Sequence, residues 1–346
     1  MTTNDEFFTE RAKNTAARVA EWSAAFEEEL GVDGRSALSD GCVYAVGSAG
    51  RGELGGSSDL DVFIVTNGEP SRVNEALVQA PLIRMMRRFK LPPPSNDATF
   101  LRLHGASELE HRLGAVNDDS PQNTFTARML LLLESRPFYG QEAYKALLRR
   151  VVQAYWRNEQ AHADHYLPMV LVNDIVRYWR VVLLNYEAKF ASKEREAKTS
   201  GELEQVRLAK WLASYKLRFA RCMTCYSMII VLLWQTREQE GKLPHVSQDM
   251  MLELIGLTPV QRLQAVLAEA TGAGAGGVVT LVDELLALYA GYLASRTMRD
   301  DELKGKLRDR SNGPSLFERA DTFGDKMAQL VQELGRSSRL IRYVVV

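Results

Sequence analysis

Cysteine is scarce: three residues in 346, an odd number and too few for a disulfide framework, so the chain does not read as a stapled secreted domain and a reducing compartment is expected. Neither sign of charge dominates. Lys and Arg total 43 against 44 Asp and Glu, a net charge of −1, which removes any general pull toward nucleic acid or a membrane surface. No apolar run reaches the ~18–20 residues of a membrane span, and no basic-then-apolar leader opens the chain, so no membrane partner and a cytoplasmic location are expected. No repeat of fixed period is visible, which argues against a solenoid. With 46% hydrophobic and 25% charged residues, the chain is globular and long enough for two cores.

What is present is concentrated in Gly47-Ser48-Ala49-Gly50-Arg51-Gly52-Glu53-Leu54-Gly55-Gly56-Ser57-Ser58-Asp59-Leu60-Asp61-Val62-Phe63-Ile64-Val65. Residues two apart on a strand share a face, so Asp59 and Asp61 project together while Leu60 and Val62 pack behind them. Side-by-side carboxylates repel unless a cation lies between them, and hard oxygen ligands suit Mg²⁺ or Mn²⁺. Upstream, Cys42-Val43-Tyr44-Ala45-Val46 reads as a short strand that stops at Gly47-Ser48, where a residue without a side chain lets the backbone approach a ligand. Backbone N–H groups of that turn and the Ser48 hydroxyl are candidates to hold phosphate oxygens, helped by the positive end of a short helix from Ala49. Arg51 either meets phosphate or pairs with Glu53. The stretch reads as a nucleoside-triphosphate and metal site.

These residues resemble the DNA polymerase β-like nucleotidyltransferase superfamily, whose signature is Gly-Ser followed about a dozen residues later by Asp-x-Asp on a strand. The wording Gly-Ser-x-Gly-Arg-Gly-Glu-Leu, then Ser-Asp-x-Asp, looks like the nucleotidyltransferase domain of the protein uridylyltransferases of nitrogen control and the nucleotidyltransferases grouped with them. The resemblance is carried by residues 40–66 and extends by layout over roughly 1–105. It implies two metal ions, with Gly47 and Ser48 on the β- and γ-phosphates, and a third carboxylate on a neighbouring strand. Asp97 is the candidate, since Ala98–Leu103 alternates like a strand after a helical stretch at 71–90 and the Pro92-Pro93-Pro94 break. Ser95-Asn96-Asp97 reads equally as a turn. Glu108, Glu110, Asp118 and Asp119 are weaker rivals because no strand pattern surrounds them.

The expected fold is an α/β catalytic domain, a small mixed sheet with flanking helices, followed by an all-α domain. The boundary falls near residue 115, giving a nucleotidyltransferase domain over 1–115 and, over 116–346, a helical domain completing the nucleotide cleft. Residues 5–30 form an amphipathic helix ended by Gly31 and the Asp33-Gly34 turn. After about 120, helices follow almost without interruption, with a charged connector at Lys193–Gly201. Residues 1–100 carry 10 Lys/Arg against 15 Asp/Glu, whereas residues 171–230 carry 11 against 6. An acidic metal-binding half and a basic half suit a nucleotide cleft. In the helical part Asn173, Arg177 and Arg180 share one face, and Lys210, Ser214, Arg218 and Arg221 another. Relatives in the superfamily commonly place helical-domain Lys, Arg and Ser residues on the triphosphate and base, which selects Arg177, Lys210 and Arg218; a solvated face with scattered ion pairs is the competing account.

Three features are set aside. Gly272–Gly277 has Gly-x-Gly-x-x-Gly spacing but follows a helix instead of a strand. Cys222 and Cys225 lie inside a helical pattern and read as buried core. His162 and His165 have one acidic neighbour, too few ligands for a metal. The expected chemistry is attack of an acceptor hydroxyl on the α-phosphorus of a nucleoside triphosphate with loss of pyrophosphate. The acceptor is a small molecule or protein, or the enzyme builds short or cyclic oligonucleotides without a template, as in bacterial antiviral signalling. A catalytically silent nucleotide-binding regulator is the third reading, and retention of both aspartates argues against it.

Overall fold

The computed structural model describes residues 3–56, 58–93, 101–114, 118–119, 123–162, 165–238, 244–308 and 315–345. It divides into two compact units, the first comprising 1–163 with 247–258 and the second 164–246 with 259–346.

The first unit is built on a four-stranded mixed sheet of order β3-β2-β1-β4. Strand β1 (Cys42–Val46) pairs antiparallel with β2 (Asp61–Thr66), in a register that sets Val46 opposite Asp61. On the other side of β2, β3 (Leu103–Gly105) runs parallel, and on the far side of β1, β4 (Arg136–Tyr139) runs antiparallel. One face of the sheet, carrying Val43, Ala45, Val62, Ile64, Leu103 and Phe138, joins one core cluster with Trp22 and Phe26 of α1 (Thr3–Ala37) and with Val78, Leu82 and Met85 of α3 (Arg72–Arg88). Strands β1 and β2 are apolar almost throughout and buried on both faces, so helices cover them on either side. Tyr44, stacked on Phe63, faces the other way and donates its hydroxyl to the Ala127 carbonyl of α5 (Thr124–Glu134). Around the sheet, α2 (Gly47–Arg51) follows β1, α4 (Ala106–His111) follows β3, and α6 (Gln141–Tyr155) follows β4.

Helix α1 breaks where Gly31 was expected to end it. Gly31 has φ 64, the left-handed region glycine adopts without steric cost, yet a further helical turn resumes and runs to Ala37. Strand β4 carried no strand signal: it has four residues and a proline, which an edge strand tolerates because its outward N–H is not needed.

The second unit is helical. Helix α7 (Met169–Glu196) ends at Ala197, and α8 (Ser200–Lys216) begins from a Thr199 capping box closed by Glu202, so the charged connector narrows to a few residues. A π turn at Leu217–Arg221 then leads directly into α9 (Cys222–Gln235). Helix α10 (Gln248–Gly256) belongs to the first unit, while α11 (Pro259–Gly272), α12 (Gly276–Ser295), α13 (Asp300–Arg308), α14 (Leu316–Gly335) and α15 (Arg342–Val345) complete the second. The expectation that no segment is apolar enough for a membrane span does not hold by length and composition. Two helices, Ser200–Gln235 and Gly276–Ser295, meet that test, and the apolar stretch of the first is 83% buried among its neighbours, as a central bundle helix requires.

Candidate functional site

The paired carboxylates take up the arrangement that strand alternation demands. Asp59 is exposed, Leu60 buried, Asp61 half-buried and Val62 buried, and Leu60 and Val62 belong to the core beneath α1 and α3. Both aspartates are thereby turned away from that core, at the start of β2. The Gly-Ser turn meets Asp61 across the β1–β2 pair. Gly47 has φ +64, and a Cβ placed on it would lie 3.2 Å from Asp61 Oδ2, so the turn passes directly against the second carboxylate. Ser48 is half-buried, and its hydroxyl makes no hydrogen bond among the described residues.

The segment between turn and strand is fastened to α1. Arg11 Nε donates to the Glu53 carbonyl at 3.1 Å, Arg18 Nη1 to the Gly55 carbonyl at 2.7 Å, and the Leu54 N–H donates to Thr15 Oγ1 at 3.0 Å. Helix α1, read from the sequence only as an apolar cover for the sheet, also uses polar side chains to hold the loop that delivers Asp59.

Beneath the turn lies a buried ion network. Arg51 donates through Nε to Glu53 Oε2 and through Nη1 to Glu134 Oε2, each at 2.7 Å, and the Gly47 N–H donates to Glu134 Oε1 at 3.1 Å. Arg51 is 7% exposed and the Glu134 side chain 0%. Of the two roles open to Arg51, the structure shows the pairing with Glu53 and adds Glu134 as a second partner. It also directs the Gly47 amide into the protein, toward Glu134. Glu134 was missed. Its one signal in the sequence is that it is the sole acid at the end of the apolar run Met129–Leu133, a position that must bury it.

Asp97 lies outside the described residues. The four rivals all have other engagements. Asp118 pairs with Arg128 at 2.8 Å with neither side chain exposed, and Asp119 accepts from the Thr126 N–H at 3.0 Å. Glu110 lies 3.0 Å from Arg150, and Glu108 lies 3.9 Å from both Arg102 and Arg112. Among the described residues no group of three or more His, Cys, Asp or Glu side chains is gathered for a metal. Asp59 and Asp61 are two hard oxygen donors, with Asp61 against the Gly47 turn, and such carboxylates suit Mg²⁺ or Mn²⁺ completed by water.

The helical candidates belong to the second unit. Arg177 lies 3.8 Å from Asp174, Lys210 lies 3.7 Å from Glu187 and 3.5 Å from Glu194, and Arg218 pairs with Asp321 over the Phe317 ring. The π turn at Leu217–Arg221 interrupts the 3.6-residue period on which the Lys210-to-Arg221 stripe rests. Cys222 and Cys225 are buried, as read, and burial pushes the Cys222 thiol up to about 12.

Residues 33–120 match the family model described as nucleotidyltransferase domain. The matched stretch contains β1, α2, β2, α3, β3 and α4 with Gly47, Ser48, Asp59 and Asp61, and stops before Glu134 and β4. No curated protein matches the chain.

Proposed function

We propose that the chain is a metal-dependent nucleotidyltransferase that moves a nucleoside monophosphate from a nucleoside triphosphate to an acceptor hydroxyl. One observation carries this reading: the Gly47 turn lies against Asp61, with the Ser48 hydroxyl unengaged among the described residues and Asp59 exposed two residues before Asp61. Asp59 and Asp61 would hold two Mg²⁺ or Mn²⁺ ions, with Asp97 the proposed third carboxylate. When bound, the ions supply charge neutralisation at the phosphates and a lowered pKa for the attacking oxygen. The chain's own groups position the triphosphate, the Ser48 hydroxyl and the amides after it facing phosphate oxygens. A bond forms between the acceptor oxygen and the α-phosphorus as the bond from that phosphorus to the bridging oxygen breaks. Pyrophosphate leaves with the electron pair, and the acceptor proton passes to a carboxylate or water.

The uridylyltransferase-like wording of the motif favours a small-molecule or protein acceptor in a cytoplasmic enzyme. The test is incubation with each labelled nucleoside triphosphate and Mg²⁺ or Mn²⁺, with products sized by gel and mass. Label on a protein or small acceptor supports this reading. Ladders or cyclic products point to template-free oligonucleotide synthesis. Nucleotide binding without turnover, for every acceptor tried, points to a silent regulator.

A further inference from the structure

We propose that Glu134 is the positioning residue of the nucleotide turn, and that Arg51 is present to cancel its charge there. The inference rests on the nucleotidyltransferase reading of Gly47, Ser48 and the two aspartates. Glu134 ends α5, far from the turn in sequence, and its two carboxylate oxygens have separate tasks. Oε1 accepts the Gly47 N–H at 3.1 Å, and Oε2 accepts Arg51 Nη1 at 2.7 Å. Its main chain also reaches the turn, since a Cβ on Gly50 would come within 1.8 Å of the Glu134 carbonyl oxygen. One residue therefore grips α2 at three points: the first amide, the buried glycine and the arginine.

The geometry has two consequences for a bound triphosphate. Holding the Gly47 N–H from below fixes the left-handed turn at Gly47, which sets where Ser48 stands relative to Asp61. A carboxylate buried directly behind an anion-binding turn would repel the anion it is meant to help place, and inside a protein that repulsion is poorly screened. Arg51 removes the conflict, with Glu53 holding its other side at 2.7 Å. Glu53 in turn acts on the half-buried Arg136, whose pKa burial lowers and the charge of Glu53 raises. Two acids and two arginines beneath the turn balance, so the field at the turn is left to the amides and the metal site.

The test separates hydrogen bond from charge. Glu134→Gln keeps an acceptor for the Gly47 N–H, whereas Glu134→Met keeps the volume and loses both bonds. With variants that melt cooperatively above the assay temperature, Glu134→Met should raise KM for nucleoside triphosphate at least about tenfold, the scale on which supporting contacts act, and Glu134→Gln by less than about threefold with kcat little changed. Arg51→Met, which uncovers the Glu134 charge, should raise KM, and adding Glu134→Gln to it should restore most of the loss. A folded Glu134→Met with wild-type KM overturns the inference, as does an Arg51→Met, Glu134→Gln pair no better than Arg51→Met alone; the second comparison stands if Glu134→Met does not fold. Calorimetry of the unaltered protein with ATP, CTP, GTP or UTP and Mg²⁺ distinguishes the two levels: no binding of any overturns the nucleotidyltransferase reading itself, whereas equal binding by wild type and Glu134→Met overturns only the role of Glu134.

Discussion

The main-chain carbonyl of Glu134 occupies the space that a side chain on Gly50 would need: a Cβ there falls 1.8 Å from that oxygen and 3.0 Å from the Ala45 carbonyl. Both neighbours are backbone, so no rotamer change relieves the contact. Alanine is favoured over glycine in a helix by about 1 kcal/mol, but forced overpacking against the Ala45 and Glu134 backbone costs about 1–3 kcal/mol. Gly50→Ala should therefore be net destabilising, read as a lower denaturant midpoint at unchanged slope. A variant as stable as wild type would mean that α2 is free to move away from α5.

Asp61 opens β2 and Asp59 lies two residues before it, with Leu60 and Val62 held in the core between and after them. Asp59→Asn and Asp61→Asn keep the shape and remove one charge each. Either should reduce nucleotidyl transfer to background while the melting temperature stays the same or rises slightly, because one of two neighbouring negative charges is gone. Normal turnover in either variant refutes the assignment of the site.

The Asp-x-Asp segment was legible because it is a local pattern: Leu60 and Val62 are buried where Asp59 is exposed and Asp61 half-buried, and the apolar run Val62–Val65 that follows is buried throughout. The mixed sheet with a helical remainder was legible for the same reason. Glu134 was not, because its partner Arg51 is 83 residues away and nothing in either neighbourhood names the other. Strand β4 escaped because Arg136-Pro137-Phe138-Tyr139 is too short for a period and carries a proline. The polar grip of Arg11, Thr15 and Arg18 on the loop was hidden behind the apolar stripe of the same helix.

For the basic helical residues the motivation is the charge asymmetry of the sequence, 11 Lys/Arg against 6 Asp/Glu over residues 171–230. The acids beside Lys210 and Arg218 oppose it. The exposed Arg218–Asp321 pair is worth about 0–1 kcal/mol, and Lys210 is half-buried beside Glu187 and Glu194. Lys210→Ala with Arg218→Ala should raise KM for nucleotide more than it shifts the melting temperature. Unaltered kinetics at low salt, where screening cannot mask lost charge, would place both residues outside the site.

His104 supplies a pH test of the sheet itself. It follows Leu103 on β3, is 1% exposed, packs its ring 5.8 Å from Phe63, and its Nδ1 has no hydrogen-bond partner among the described residues. Burial, and secondarily the charge of Arg102, lowers its pKa from 6.5 to about 4. In the unfolded chain the imidazole takes up its proton near pH 6.5, whereas the folded protein resists until about pH 4. Between those values the unfolded state binds more protons, so stability falls as the pH is lowered through that window and is insensitive to this group above it. At about 1.4 kcal/mol per unit the full effect is on the order of 3 kcal/mol. His104→Leu removes the titration and keeps an apolar contact for Phe63. The difference in unfolding free energy between wild type and His104→Leu, measured from pH 7.5 down to pH 4, should shift progressively in favour of the variant below about pH 6.5. Parallel profiles over that range would mean that the ring is protonated without cost and that β3 is open to water at this position.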